Sequence, residues 1–433
     1  MNKNILKYII PSMIASLFIG AYAIIDGAFI GSKLGDIGLS AINIAWPITA
    51  FTQTIGLAIG IGGGIRLSIA LGENDNDKYN KVFNNTILYL SLSSVILTII
   101  VPLLSKRLLI LSGATGDTLL YGMRYLFVMG LGSVFQIFSG GLVPLLKNKG
   151  EAKYSMFVSI AACLCNVLFD YLLIYVIPLD LLGAAIASIL GQGIIAILSF
   201  IKLKPKLSLK VSFDKEILLS SISPFILNYS YAIITILNNT ICLKYGGDAG
   251  VAAYTIFSYL IYIVQSSASG TGDGVQPIIS YYYGQNDYKK MKHTFNKSSI
   301  IGFIFSSVII SIVIMLKNII PNIYNLGPES LNYYNNSFYF FIGAYFMLVI
   351  NRLIGCFMYS ANSIKISNFL TLIEPLVITP ILLITLGYLR GIYGALESYL
   401  YIQFIQLIIS ILLLILVIRR YNKNEHCRAS ISA

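Results

Sequence analysis

The chain has 433 residues, of which 57% are hydrophobic and 11% are charged, whereas a soluble domain carries about 25% charged residues. This is too little polar surface to enclose a water-soluble core of such a length. A formal net charge of +12 is also found in proteins that bind nucleic acids. The positions of the basic residues along the chain decide whether this interpretation applies.

Apolar stretches of roughly 20 residues recur along the whole chain, which is the length that a helix needs to cross a bilayer. The short alternating segments of a transmembrane β-barrel are not seen. The first stretch has no small-residue cleavage site, so we expect it to remain as a span. The sequence predicts an all-α polytopic membrane protein with twelve transmembrane helices, over residues 8–31, 39–71, 84–104, 121–145, 154–176, 183–203, 218–242, 249–283, 296–316, 333–360, 367–389 and 391–418.

The lysines and arginines concentrate in every second connection between these spans and at both ends of the chain. The alternate connections hold only Lys33, Lys106, Arg107, Arg124, Lys244, Lys317 and Arg390. By the positive-inside rule, both termini and the basic loops are cytoplasmic, in a multi-pass protein of the cell membrane. The basic excess is a topology signal, so we expect no nucleic-acid partner.

The two halves of the chain repeat each other. The segment "GDIGLSAINIA" begins at Gly35 and "GDAGVAAYTIF" at Gly247, a shift of 212 residues. The same shift aligns Gly60 with Gly272 and a further set of identical residues, Gly62/Gly274, Ser68/Ser280, Gly72/Gly284, Asn74/Asn286, Asp75/Asp287, Lys78/Lys290, Phe83/Phe295 and Asn84/Asn296. Two windows at one offset favour duplication into two six-helix lobes, a parallel repeat with a pseudo-twofold axis along the membrane normal.

This repeat sets the predicted domains. We expect an N-terminal lobe over 1–203 and a C-terminal lobe over 218–418. Between them, the polar and basic segment "KPKLSLKVSFDKEI" predicts a cytoplasmic linker over 204–217. Residues 419–433 are predicted to be a cytoplasmic tail.

Four polar residues of the first lobe are expected at a similar depth in the membrane. Asp26 in span one, Asp170 in span five and Ser188 in span six lie five or six residues inside the outer ends of their spans, which is roughly 8–9 Å. Asn166 precedes Asp170 by one turn on the same helix face. A charge in the bilayer costs several kcal/mol, and two nearby carboxylates resist ionising together. The set therefore predicts a cation site, for a proton or for Na⁺ held by these oxygens; the alternative is that the residues only bond helices together.

Further polar and aromatic residues inside the spans have two interpretations each. Arg352 and Glu374 have matched depths in spans ten and eleven, which predicts a structural ion pair or a gate. Aromatic faces suit flat organic cations, and the alternative for any one tyrosine is helix packing. In span eight, Asp273 either contacts substrate at a loosened Gly-Asp-Gly segment or stabilises a kink with Gln276. The substrate-binding candidates are Asp273, Gln276, Tyr254, Gln53, Gln136 and Gln265.

Four segments carry a resemblance to a known family. They are "PSMIASLFIGAYAIIDGAFIGSKLGDIGLSAINIAWPI", "CNVLFDYLLI", "GAAIASILGQ" and "GTGDGVQPIISYYYGQ", and they resemble the bacterial multidrug and toxic compound extrusion (MATE) transporters over essentially the entire chain. The resemblance implies two six-helix lobes around a central cavity. It also implies an antiporter that exports cationic amphipathic compounds, driven by inward flow of protons or Na⁺.

The resemblance also implies roles for individual residues. It assigns the coupling cation to Asp26, Asn166, Asp170 and Ser188, where the usual hydroxyl of span six is a threonine. Some branches of the family carry acidic residues in spans seven and ten, but 218–242 and 333–360 contain none. We therefore expect coupling in the first lobe.

Other functions fit the sequence less well. A lipid-linked saccharide flippase of the same superfamily would line its cavity with several arginines, and only Arg66 and Arg352 lie inside spans, apart from Arg124 at the start of span four. An intramembrane enzyme needs clustered His or Asp at metal spacing, and the sequence shows no such cluster. A purely structural or receptor-like protein needs neither the duplicated halves nor an intramembrane cation site. We therefore expect no enzyme, no cofactor beyond the coupling ion, and no use of ATP, since no phosphate-binding loop is present. The expected partners are small organic cations and the lipid bilayer, around a monomer.

Overall fold

The computed structural model describes the backbone of residues 5–204, 213–324 and 326–432. Within these ranges it describes the side chains other than those of 21–24, 28, 35, 36, 39 and 424–432. Residues 205–212 of the predicted linker and most side chains of the predicted tail lie outside the described residues.

The first lobe consists of helices. The chain is helical from Leu6 to Gly72 and carries two candidate spans there, α1 (Leu6–Leu34) and α2 (Ser40–Gly72). The remaining helices of this lobe are α3 (Asn76–Leu111), α4 (Gly116–Leu131 and Ser133–Asn148, bent by 56°), α5 (Ala152–Asp170, continued by a π-helix at Tyr171–Val176) and α6 (Asp180–Leu203).

The second lobe repeats this pattern with two glycine breaks. The segment Lys215–Gly284 is interrupted at Gly247 (φ 55°, ψ −154°), and the segment Thr379–Ser432 at Gly391 (φ 62°, ψ −141°). Only glycine adopts a positive φ at so little cost. The helices are α7 (215–246), α8 (248–284), α9 (Tyr288–Met315), α10 (Pro328–Ser360), α11 (Ile364–Ile373, a π-helix at Glu374–Ile378, then 379–390) and α12 (392–432). A single-turn helix at Ile320–Ile323 precedes α10.

These helices match the predicted architecture. By length and composition, nine helices of the described residues are fit to cross a membrane, or ten when the bent α4 is included. Splitting the two longest at Gly247 and Gly391 gives twelve segments, and no strand occurs in the described part of the chain. The predicted all-α membrane fold is confirmed. The helices extend past the predicted ends because polar flanking turns are helical too, as at Asn76.

The chain divides into two compact units, Met1–Phe225 and Ile226–Ala433, and one local motif recurs in both. The Asp75 carboxylate accepts from the Lys78 N–H (2.9 Å) at the start of α3, and Asp287 accepts from the Lys290 N–H (3.0 Å) at the start of α9. Both are N-caps. The residue before each, Asn74 and Asn286, has the same φ of 59°.

One face of α3 carries apolar side chains that are exposed. Val95, Ile99 and Leu103 on this helix are 59%, 55% and 76% exposed. Such a face is suited to contact with lipid because its side chains are apolar. The helix itself satisfies the backbone hydrogen bonds that lipid cannot make.

Glycines allow α2 and α4 to pack backbone to backbone inside the first lobe. A Cβ built at Gly56 would lie 2.3 Å from the carbonyl oxygen of Ile137, and one at Gly60 would lie 2.3 Å from that of Gly141. Small residues four apart allow this approach between membrane helices. The close contact holds α4 firmly, and α4 contributes a residue to the candidate site.

Candidate functional site

The structure brings two aspartates of the first lobe together. Asp26 lies on α1, and Asp170 is the last α-helical residue of α5. Their charges interact, and the Asp170 side chain is fully buried. Two acidic side chains far apart in sequence therefore share one environment, as the matched depths predicted.

Asn166 links Asp170 to the third helix of the site. With its amide oriented to satisfy both neighbours, the Asn166 nitrogen donates to Oδ2 of Asp170 (3.3 Å). Its oxygen accepts from the backbone N–H of Ser188 on α6 (3.2 Å). The three residues are buried. Asn166 therefore holds one oxygen of the carboxylate in place and joins α5 to α6.

Each aspartate keeps one buried oxygen without a donor. Oδ1 of Asp26 and Oδ1 of Asp170 have no hydrogen-bond partner among the described residues. A buried anionic oxygen without a partner is costly. The two oxygens are therefore suited to a positively charged guest, since a carboxylate oxygen can take up a proton and oxygens are the ligands that hard metal cations prefer.

Local backbone features position these side chains. The helix changes to π geometry at Tyr171, directly after Asp170, and single π turns occur often at functional sites. A Cβ at Gly191 on α6 would lie 3.2 Å from both the Ala162 carbonyl oxygen and the Asn166 Cβ, so glycine lets α6 approach α5 at this level. Near the ends of the two helices, the rings of Phe29 and Tyr175 pack edge to face at 5.8 Å and hold α1 against α5.

Tyr125 on α4 also belongs to this site, and sequence reasoning missed it. Its hydroxyl interacts with the charges of both Asp26 and Asp170, and its side chain is 5% exposed. The chain has 30 tyrosines, so no local signal distinguished this one. Its depth in span four is the one property of the sequence that could have identified it.

A second group of predicted residues lines a cavity within the second lobe. Tyr254, Gln265, Arg352 and Glu374 all border it, so two substrate-binding candidates share one space with the predicted Arg352–Glu374 pair. Arg352 and Glu374 interact electrostatically, and each is held by other residues. The Arg352 guanidinium donates to Oγ of Ser269 (2.8 Å), to Oδ1 of Asn228 (2.7 Å) and to the carbonyl of Leu227, and Glu374 accepts from Nε2 of Gln403 (2.7 Å).

Two candidates on α8 have hydrogen-bond partners inside the second lobe. Asp273 accepts from the Tyr359 hydroxyl (2.9 Å). Gln276 donates to Oγ of Ser280 (3.1 Å), which in turn donates to the Ser360 carbonyl (2.8 Å). The helix stays regular through Asp273, so the expected loosening of the Gly-Asp-Gly segment is not observed.

The two first-lobe glutamine candidates differ in exposure. Gln53 on α2 is exposed. Gln136 is 1% exposed and donates to the Met129 carbonyl (2.7 Å) across the bend of α4. This contact stabilises the bend.

Arg66 is an arginine inside a predicted span, and it lies on α2. Its side chain is buried and forms an ion pair with Glu216. A buried arginine needs such a partner.

Similar proteins are transporters. The chain is 27% identical over 345 residues to "Multidrug export protein MepA" of Staphylococcus saprophyticus, covering 77% of this chain and 74% of that protein. It is 26% identical over 337 residues to the protein of the same name of Staphylococcus haemolyticus, covering 76% and 74%.

Solved structures share the fold. One described as the outward-facing conformation of a multidrug resistance MATE family transporter of the MOP superfamily superposes with a TM-score of 0.89 at 17% identity, covering 97% of this chain and 96% of the other. A MOP superfamily transporter from Pyrococcus furiosus superposes with a TM-score of 0.85 at 17% identity, covering 96% and 95%.

The family model named MatE matches the chain twice, over residues 11–172 and 224–385. The two matches fall one in each half, as the internal repeat predicts. Together they span most of the chain, so this protein belongs to the MatE family of multidrug and toxic compound extrusion transporters.

Proposed function

We propose that this protein is a cation-coupled antiporter that exports cationic amphipathic compounds by alternating access. The observation that supports this most directly is the pair of carboxylates of Asp26 and Asp170, each with a buried oxygen that has no donor among the described residues. The relatives named as multidrug export proteins favour organic compounds as the exported substrates.

The carboxylate pair is suited to binding and releasing a cation. With both groups ionised and empty, the site carries two negative charges in a poorly solvated place. A proton lowers the repulsion by neutralising one carboxylate, and Na⁺ does so by taking oxygens from both. Asn166, which already contacts Asp170 and the Ser188 backbone, transmits the change to α5 and α6.

Coupling follows from differential binding. If the cation binds more tightly to the conformation open to the outside, its inward flow favours drug release there. The drug in turn favours the conformation open to the cytoplasm. Reciprocal linkage between the two sites needs no nucleotide, so the ion gradient alone supplies the free energy.

Location and orientation are part of the proposal. The loop charges favour the cell membrane with both termini cytoplasmic. The protein then works as a monomer with the bilayer and small organic cations as its partners, without ATP.

The flippase alternative is less well supported. Of the two arginines that lie deeper inside the predicted spans, Arg66 is paired with Glu216 and Arg352 donates to three acceptors of its own lobe. A pyrophosphate headgroup would have to compete for groups that are already engaged.

The test is efflux from proteoliposomes that contain the purified protein and ethidium. An imposed proton gradient and an imposed Na⁺ gradient are applied separately. We expect one of them to stimulate transport, and an ionophore that collapses that gradient to abolish the stimulation. Transport at the same rate with and without both gradients would overturn the coupling.

A further inference from the structure

Basic residues are concentrated at one end of the second lobe, where α9 begins and α12 ends. Neither residues 288–297 nor residues 419–423 contain an aspartate or a glutamate. Lys290 is paired with Asp287, which lies just before α9. The side chains that form no ion pair with a described residue are Lys289, Lys297, Arg419, Arg420 and Lys423, and all five are exposed.

The packing of the lobe does not require these charges. α3 is the repeat equivalent of α9, and the shift of 212 residues places Lys289 on Asp77 and Lys297 on Asn85. Asn85 is 1% exposed, whereas Lys297 is exposed. The equivalent helix thus forms with an acidic and a neutral residue at these positions, so the lysines are a separate property of the second lobe.

The two helix ends that carry the charges are held together. Tyr421 of α12 is 5% exposed, and its ring stacks on that of Tyr288 of α9 with 4.9 Å between the centroids. Its hydroxyl donates to the Ala361 carbonyl (2.6 Å), and the Lys292 ammonium donates to Oδ1 of Asn422. The basic side chains therefore project from ends whose spacing is fixed, which lowers the entropy cost of binding a ligand between them.

Further along each helix, the exposed side chains are apolar. Ile304 follows Lys297 by seven residues on the same face of α9 and is 59% exposed, which is a distance of about 10 Å along the helix. Leu416 precedes Arg420 by one turn on α12 and is 56% exposed. Both helices thus carry a positive charge near the end and an apolar face one to two turns inside it.

This arrangement matches the two parts of an anionic phospholipid. Phosphate oxygens accept hydrogen bonds from lysine and arginine, and the arginine fork can hold two of them at once. Basic clusters where membrane helices reach the surface bind anionic headgroups. The apolar faces of α9 and α12 then contact the acyl chains. A soluble phosphate compound would use the charges and leave these faces unused.

We propose that the end of the second lobe where α9 begins and α12 ends is a binding site for an anionic phospholipid. Lys289, Lys297, Arg419 and Arg420 hold the phosphate, and the apolar faces of α9 and α12 hold the acyl chains. This goes beyond the proposed function, which assigns no lipid to any site. Only the leaflet rests on the proposed orientation: with both termini cytoplasmic, the lipid belongs to the cytoplasmic leaflet.

The test is native mass spectrometry of the purified full-length protein in detergent, titrated with dioleoyl-phosphatidylglycerol and, separately, with dioleoyl-phosphatidylcholine. The fraction of protein that retains a lipid gives the affinity. We expect the anionic lipid to bind about tenfold more tightly. The triple variant Lys297→Gln, Arg419→Gln, Arg420→Gln should lose about tenfold or more of this affinity, because each basic residue near an anionic headgroup contributes a factor of about five.

The matched control removes three exposed lysines of the first lobe, by Lys7→Gln, Lys81→Gln and Lys153→Gln. The net charge falls by the same amount, and the affinity should change by less than about twofold, because these lysines lie outside the proposed site and salt screens exposed charges. Phosphatidylglycerol should raise the thermal unfolding midpoint of the wild type and of the control, and not that of the test variant. Without lipid, the two triple variants should unfold alike, since all the replaced side chains are exposed.

Three results would overturn the lipid site. One is equal affinity for the two lipids. Another is an equal loss of affinity in the two triple variants, which would mean that overall charge attracts the lipid. The third is displacement of phosphatidylglycerol by an equal concentration of inorganic phosphate, which would indicate a site for the free anion. Neither a drug nor an ion gradient enters the measurement, so failure of the proposed antiport would leave the result unaffected.

Discussion

Asp26 and Asp170 contribute carboxylates from different helices to one site, and each has a buried oxygen that finds no donor in the part of the chain that the structure describes. Had these residues served only to join helices, their oxygens would be expected to find donors, because unpaired polar atoms are costly inside a protein. Asn166 illustrates the structural role, since both ends of its amide are used. The aspartates are therefore the residues whose replacement should affect coupling most.

We predict that Asp26→Asn folds and reaches the membrane but loses gradient-driven efflux by about 100-fold or more, a value typical for loss of an essential charge. The amide has nearly the same shape and cannot exchange a proton or carry a negative charge. Ethidium efflux from vesicles measures this. Asp117→Asn changes an exposed aspartate of the same lobe and should behave as wild type; equal efflux by both variants would refute the role of Asp26.

Tyr125 gives a second prediction at this scale. Its hydroxyl interacts electrostatically with both carboxylates. Tyr125→Phe removes this interaction and should displace the pH profile of efflux by about half a unit to one unit, which corresponds to roughly 1 kcal/mol. Tyr121→Phe, one turn earlier, is the control, and an identical shift in both variants would contradict the assignment.

Among the elements of the first lobe, α2 and α4 pack backbone to backbone. The backbone oxygens of Ile137 and Gly141 occupy the places where side chains of Gly56 and Gly60 would be. Backbone cannot move aside as a flexible side chain does. The position of α4, and with it that of Tyr125, thus depends on two glycines of another helix.

Gly56→Ala should lower the free energy of unfolding by about 1–3 kcal/mol, because a methyl group must be forced into a filled space. Gly193→Ala is the matched control on α6, where a Cβ would meet the Phe135 ring at an ordinary 3.6 Å. That change should be neutral or stabilise by up to about 1 kcal/mol, since alanine favours helix. Thermal unfolding of the purified variants distinguishes them, and equal midpoints would show that α2 and α4 pack less closely.

For the whole molecule, the charges of the loops set the predicted orientation. The chain belongs to a family of two repeated lobes, and an even number of spans per lobe makes both lobes face the same way. The connection between α2 and α3 should then be cytoplasmic, and that between α3 and α4 external.

Single cysteines test this orientation. In a background without the five native cysteines, Asp77→Cys and Asp117→Cys each place a thiol at an exposed position in the first turn of a helix, next to the connection. A membrane-impermeant maleimide applied to intact cells should label the second and not the first, while both should react after the cells are opened. Labelling of the first alone would reverse the proposed topology.

The sequence by itself determined the membrane class, the helical fold and the duplication, and it singled out Asp26 and Asp170 as the candidates for the proposed cation site. The physical reason is that each of these rests on a local property. Hydropathy over about 20 residues identifies a span. A charged side chain inside a span is costly in the bilayer, so Asp26 and Asp170 are conspicuous in the sequence.

The tertiary structure alone decided which ordinary residues lie beside these aspartates. Tyr125 on α4 interacts electrostatically with both, and among the 30 tyrosines of the chain only its depth in the span hints at this. Hydrogen bonds and close contacts between segments far apart in the chain form only when the chain folds, so the sequence of one segment does not reveal them.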